Sequence, residues 1–161
     1  MGPQSLGRLI DEHAGALMLY ARQCCSCPDD VVQEAFVRLA SQPSFPDNVV
    51  PWLYRVVRNA AISAARSAKR RQRHESMAAA RRPSWFLPYE GAPLDADAAT
   101  TALEALPLES RETVVAHLWG GLTFEQIGEL TGVSSSTAHR RYLQALETLR
   151  ERLRVPCPKT S

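Results

Sequence analysis

The stretch from Thr123 to about Leu146 constrains this chain most, because it permits little except two short helices joined by one tight turn. Thr123 and Gln126 stand at the T-x-x-Q spacing of a capping box, in which each side chain satisfies a free backbone N–H of the other residue at a helix start. Ile127 and Leu130 follow on a buried side, Gly132 supplies the turn, and Ser134 caps a second helix that continues to about Leu153. Small Gly128 lies where the two helices must approach closely. Two short helices across a glycine turn make a helix-turn-helix, whose second helix enters the major groove with its first turns against base edges. That surface carries Ser135, Ser136, His139, Arg140 and, at its edge, Leu143, with Arg141 better placed for the phosphate backbone. Arg140 has the reach for a bidentate contact to guanine O6 and N7.

The rest of the chain is also written in helical periods. Leu6, Leu9, Ile10, His13, Leu17 and Tyr20 recur at three- and four-residue steps, giving a first helix that ends near the cysteines. Pro28 and Asp29 start a second, with Val31, Val32, Ala35, Phe36 and Leu39 on one side and Asp30, Gln33, Glu34 and Arg38 on the other. Three prolines between Pro43 and Pro51 make a loop, and a third helix opens at Pro51 and runs to about Arg73. Leu53, Val56, Val57, Ala60 and Ala64 form its buried face, while Arg55, Arg58 or Asn59, Ser63, Arg66, Lys69 or Arg70, and Arg73 make a basic stripe opposite. From Ser76 to Thr100 the pattern dissolves into Ala, Pro, Gly and acidic residues, as in a flexible linker, although Trp85, Phe86, Leu87 and Tyr89 are an unusual insert for one. Periodicity resumes with Ala102, Leu103 and Leu106 and then Val114, Val115, Leu118 and Trp119, before Gly120-Gly121 ends that helix. The fold class expected is all-α: two small helical domains, residues 1–75 and 101–155, joined by residues 76–100.

Charge follows the same division. A net charge of +2 conceals a block at 55–82 with nine basic residues and one acidic, followed by a block at 83–132 with one basic and eight acidic. The basic block at 55–82 and a second at 133–161, with six basic residues and two acidic, each coincide with a helix that has its own reason to touch DNA, so the stripes are more than solvated faces. No apolar run is long enough to span a bilayer, and the amino terminus lacks the order of a signal peptide, so a cytoplasmic chain without membrane insertion is expected. Cys24 and Cys27 form a C-x-x-C pair, but no second ligand pair follows them, so neither a metal nor any other cofactor is expected.

Two runs in the first half carry a sharper clue. The sequence Asp30 to Leu39 (DVVQEAFVRL), followed after the loop by Pro51 to Ala60 (PWLYRVVRNA), resembles the second conserved region of bacterial sigma factors, most of all the extracytoplasmic-function group. The run Leu106 to Glu112 (LPLESRE), then Gly121 to Ile127 (GLTFEQI) and Thr137 to Leu153, resembles that family's fourth region. The resemblance implies a sigma factor that binds core RNA polymerase and directs promoter-specific initiation, with no chemistry of its own. It implies docking on the clamp of the largest polymerase subunit by Asp30, Gln33, Glu34 and Arg38. It implies capture of the opened −10 element by Phe45, Asp47, Asn48, Arg55, Arg58, Asn59, Ser63 and Arg66. Duplex reading of the −35 element falls to Ser135, Ser136, Thr137, His139, Arg140 and Arg141. The flap of the second-largest subunit and an anti-sigma factor are further partners that the resemblance suggests. Leu143 and Leu146 stand where the family more often has polar or basic residues, which suits a partner surface.

Two other readings explain less. A helix-turn-helix regulator acting without polymerase leaves the runs between Asp30 and Asn59 without a purpose. A thiol hydrolase using Cys24 or Cys27 with His13 lacks any accompanying glycine-rich or nucleophile-elbow motif, and His13 falls on the apolar side of its helix.

Overall fold

A computed structural model describes residues 3–74 and 96–153, and among them it places seven α-helices. The first three are α1 (Pro3–Cys24), α2 (Pro28–Ala40) and α3 (Val49–His74). Leu17, Tyr20 and Ala21 of α1 pack against Val31, Val32, Ala35, Phe36 and Leu39 of α2 and Leu53, Tyr54, Val57 and Ala61 of α3, all of them buried. Removing one such aliphatic side chain from water is worth about 1.5–3 kcal/mol, so the three apolar stripes hold this half together. Ile10 was expected on the apolar face of α1 but is exposed, whereas Leu6 and Leu9 on the same turns are partly buried against the core. Helix α3 begins at Val49, two residues before the proline expected to open it. The first-turn N–H groups of a helix have no partner within it, so Pro51 loses nothing there, and the Trp52 N–H donates to the Asn48 carbonyl at 3.2 Å.

The second half contains α4 (Ala96–Glu104), α5 (Leu108–Leu118), α6 (Phe124–Thr131) and α7 (Ser135–Arg152). Helix α4 takes in the last five residues of the expected linker, since 96–104 holds four alanines and neither Gly nor Pro. The remainder of that linker, with Trp85, Phe86, Leu87 and Tyr89, lies outside the described residues. Leu106, Val114 and Ala145 form a small core flanked by Leu103, Tyr142 and Leu149. Leu118 and Trp119, periodic with that core in sequence, are instead about half exposed at the end of α5.

The two halves pack directly on one another. Val115, Ala116, Leu122, Ile127 and Ala138 belong to the same apolar cluster as Leu17, Tyr20, Leu53 and Tyr54, with α5 against α1 and α6 against α3. Nothing in the periodicity of either half announces this, because each stripe is satisfied by its own domain on paper.

Candidate nucleic-acid interface

The helix-turn-helix forms as its local chemistry dictates. The Gln126 N–H donates to Thr123 Oγ1 at 3.2 Å and the Thr123 N–H to Gln126 Oε1 at 3.0 Å, so the capping box is complete. Gly132 closes α6 at φ 75°, a left-handed conformation that costs a side-chain-bearing residue and not a glycine. Its N–H and that of Val133 both donate to the Gly128 carbonyl, at 2.8 and 2.9 Å. Ser134 then caps α7 by accepting from the Thr137 N–H at 3.1 Å. A methyl group on Gly128 would lie 2.6 Å from the Val133 carbonyl oxygen, which explains the small residue at this crossing.

A ring cluster absent from the sequence reading sets the pitch of α7. The His117 ring stacks on Phe124 with centroids 4.3 Å apart, and Phe124 meets Tyr142 at 5.3 Å and His139 at 4.8 Å. The His117 Nδ1 lies 2.8 Å from the Leu122 carbonyl oxygen, which fixes the ring under the start of α6. Ser135, Ser136, His139 and Arg140 are exposed on the first turns of α7, as a groove-entering helix requires. Thr137 and Arg141 are half-buried, and Thr137 Oγ1 accepts from the Ser134 hydroxyl at 2.9 Å, so it serves the cap as well as the surface. Leu143 is exposed on the same helix.

In the first half, Asp30, Gln33, Glu34 and Arg38 share the exposed face of α2, with Arg38 Nε donating to Glu34 Oε1 at 2.8 Å. Arg55, Asn59, Ser63 and Arg66 are exposed along α3. Further along, Ser63, Arg66, Lys69, Arg70 and Arg73 line an open groove of about 470 Å³. Four cations along one groove suit a phosphate backbone. Asp47 and Asn48 are exposed in the preceding loop, whereas Phe45 is half-buried against the core. Arg58 stands apart from its neighbours: its side chain is 23% exposed, and its Nε donates to Glu112 Oε1 at 2.8 Å. Burial works against the guanidinium charge, but the hydrogen bond and attraction of Glu112 outweigh it and raise the Arg58 pKa. Glu112 was not singled out from sequence, because its partner lies 54 residues away.

The three described cysteines are free thiols at the α1–α2 junction. Burial, then the charge of Glu112, push the Cys24 thiol up to about 12, and burial pushes Cys25 up to about 11. Such thiols are poor nucleophiles. Among the described residues no group of three His, Cys, Asp or Glu side chains is placed to hold a metal ion, and no helix is long and apolar enough to cross a membrane.

A capped helix-turn-helix beside a second helical unit with a basic helix face is the arrangement of a DNA-binding chain. Residues 9–71 match the family model described as Sigma-70 region 2, and residues 96–149 match Sigma-70, region 4. The chain is 34% identical over 133 residues to the RNA polymerase sigma factor CarQ of Myxococcus xanthus, covering 78% of this chain and 74% of CarQ. It is 32% identical over 150 residues to the ECF RNA polymerase sigma factor SigL of Mycobacterium tuberculosis, covering 88% of this chain and 85% of SigL. A solved structure of the sigma factor RpoE in complex with the anti-sigma factor NepR from Bartonella quintana superposes with a TM-score of 0.79 at 23% identity, over 95% of this chain and 99% of RpoE. The chain belongs to the sigma-70 family of RNA polymerase sigma factors, in its extracytoplasmic-function group. It is a factor for promoter-specific transcription initiation by RNA polymerase.

Proposed function

We propose that residues 1–75 engage core polymerase and the opened −10 element, that residues 101–155 read the −35 element as duplex, and that residues 76–100 join them. The observation that carries this division is the exposed start of α7, with Ser135, Ser136, His139 and Arg140 presented outward from a turn fixed by two caps and a ring stack. Thr137 shares that surface, and Arg141 beside it takes the backbone contact. In the first half, Asp30, Gln33, Glu34 and Arg38 dock on the clamp of the largest subunit. Phe45, Asp47, Asn48, Arg55, Arg58, Asn59, Ser63 and Arg66 hold the separated strand. The flap of the second-largest subunit is the partner of the second half. The chain supplies binding and orientation while the polymerase supplies the chemistry, and both act in the cytoplasm. An anti-sigma factor fits as a further partner, since RpoE and CnrH, which share this fold, were solved in complex with NepR and with the cytosolic domain of CnrY.

Transcription by purified core polymerase plus this chain, on a library of randomised promoters, tests the reading. The expected product pool is enriched in two spaced elements upstream of the start, and Arg140→Ala alters only the upstream one. A pool without sequence preference refutes it.

A further inference from the structure

Glu112 is a carboxylate only 3% exposed, and an ion so buried is held in place by the groups that hydrogen-bond to it. Its Oε1 accepts from Tyr20 Oη at 3.0 Å and from Arg58 Nε at 2.8 Å, and Cys24 Sγ approaches it at 3.7 Å. All three donors belong to the first half of the chain, whereas Glu112 stands on α5 in the second, so this node exists only while the halves are together. Around it the seam is apolar, with Val115, Ala116, Leu122 and Ile127 set against Leu17, Tyr20, Leu53 and Tyr54. The Tyr20 and Tyr54 rings meet edge-on at 5.0 Å, and a methyl group on Gly120 would lie 2.5 Å from Tyr54 Oη. The apolar seam supplies attraction, and the ionic node fixes the register in which it closes. A buried ion pair suits a contact that must also open, because parting returns both ions to water and the net cost is small.

We propose that Glu112 is an interdomain latch that occupies Arg58 in the free chain and competes with single-stranded DNA for that guanidinium. The inference rests on the reading of α3 as the surface that holds the opened strand. Arg55, Asn59 and Arg66 on that surface are exposed, and Arg58 in their midst is engaged by α5. Strand capture by the full stripe therefore requires the halves to part first, and the apparent affinity of the free chain is reduced by the fraction that is open. Docking on polymerase, which draws the two halves to separate sites, releases Arg58 where the strand opens.

The test uses the full chain as wild type, Glu112→Gln and Tyr20→Phe. Anisotropy titration of a fluorescein-labelled single-stranded DNA oligonucleotide reads Arg58 availability, small-angle scattering reads compactness, and circular dichroism reads folding. Glu112→Gln keeps the shape of the side chain and removes its charge. If about nine-tenths of the free chain is closed, this variant binds the oligonucleotide about tenfold more tightly than wild type and has a larger radius of gyration. Tyr20→Phe removes one donor, keeps the ring contact with Tyr54, and gives a smaller gain in the same direction; it decides the question if Glu112→Gln loses its helix signal. Unchanged affinity in the folded variants overturns the latch, and so does expansion without a gain in affinity. Failure of the underlying reading shows elsewhere: a holoenzyme carrying Arg55→Ala and Arg66→Ala that opens promoters like wild type removes α3 from strand capture, whatever the free chain does.

Discussion

Replacing Gly128 by alanine adds one methyl group at the tightest point of the helix-turn-helix, and the cost follows from the geometry. The new Cβ would lie 2.6 Å from the Val133 carbonyl oxygen, 3.2 Å from the Ser135 nitrogen and 3.3 Å from the Ser134 carbonyl carbon. Real contacts of this kind do not fall below 3.0 Å, so the turn must retreat by at least 0.4 Å. All three obstructing atoms are backbone, and the turn is tied to Gly128 itself through the N–H groups of Gly132 and Val133. Overpacking against unyielding atoms costs about 1–3 kcal/mol, and alanine returns roughly 0.5–1 kcal/mol through its better helix propensity. A net loss of about 1–2 kcal/mol is expected, which for a chain of this size lowers the melting temperature by about 2–8 °C. Thermal unfolding followed by circular dichroism measures it. Binding to a duplex carrying the selected upstream element should weaken in parallel, because the retreat tilts α7 relative to α6. Gly132→Asn is the control: nothing lies within 4 Å of a Cβ there, and asparagine tolerates the left-handed backbone, so the loss should be smaller. A Gly128→Ala protein as stable as wild type, or more stable, would refute the close approach.

Other perturbations separate the surfaces. Arg140→Ala should relax upstream-element selectivity by about 1–3 kcal/mol, the usual worth of a bidentate base contact, whereas Arg141→Ala should weaken all sequences alike; an unchanged selected motif for Arg140→Ala would dismiss its base-reading role. Charge reversal at Asp30 and Glu34, both exposed on α2, should abolish capture by core polymerase with the helix content intact, and co-purification at the wild-type level would end the docking assignment. Phe45→Ala with Asn48→Ala should impair strand separation, read as permanganate reactivity of thymines near the start, on fully paired but not on pre-melted promoters; wild-type reactivity would remove the loop from melting. The native Cys24 thiol, held near 12 against an ordinary 9.0, keeps its proton longer than the unfolded chain does. Its contribution to stability is therefore constant below about pH 9 and declines as pH rises toward 12, and iodoacetamide at pH 8 should modify Cys24 at least about tenfold more slowly than a peptide cysteine. Rapid labelling of the folded chain would contradict that burial.

The agreement between sequence and structure is closest where the interactions are local. The Thr123–Gln126 box, the Gly132 turn, the Ser134 cap and the Val31 to Leu39 stripe each depend on residues within a few positions of one another, so spacing alone implies the bond or the face. Locally encoded too is the exposure of Asp30, Glu34, Arg55 and Arg66, because a helix with one apolar stripe must turn its opposite side to water. Only the tertiary structure decided which stripes also serve the seam between the halves. Leu118 and Trp119 kept their helical period yet stayed exposed, while Tyr54 and Glu112, unremarkable in periodicity, became buried. The reason is that periodicity records a residue's neighbours on its own helix, whereas the burial of Glu112 depends on Tyr20, 92 positions away, and on Arg58, 54 away. No rule of spacing reaches that far, so the pairing that holds Arg58 beneath α5 exists only once the chain has folded.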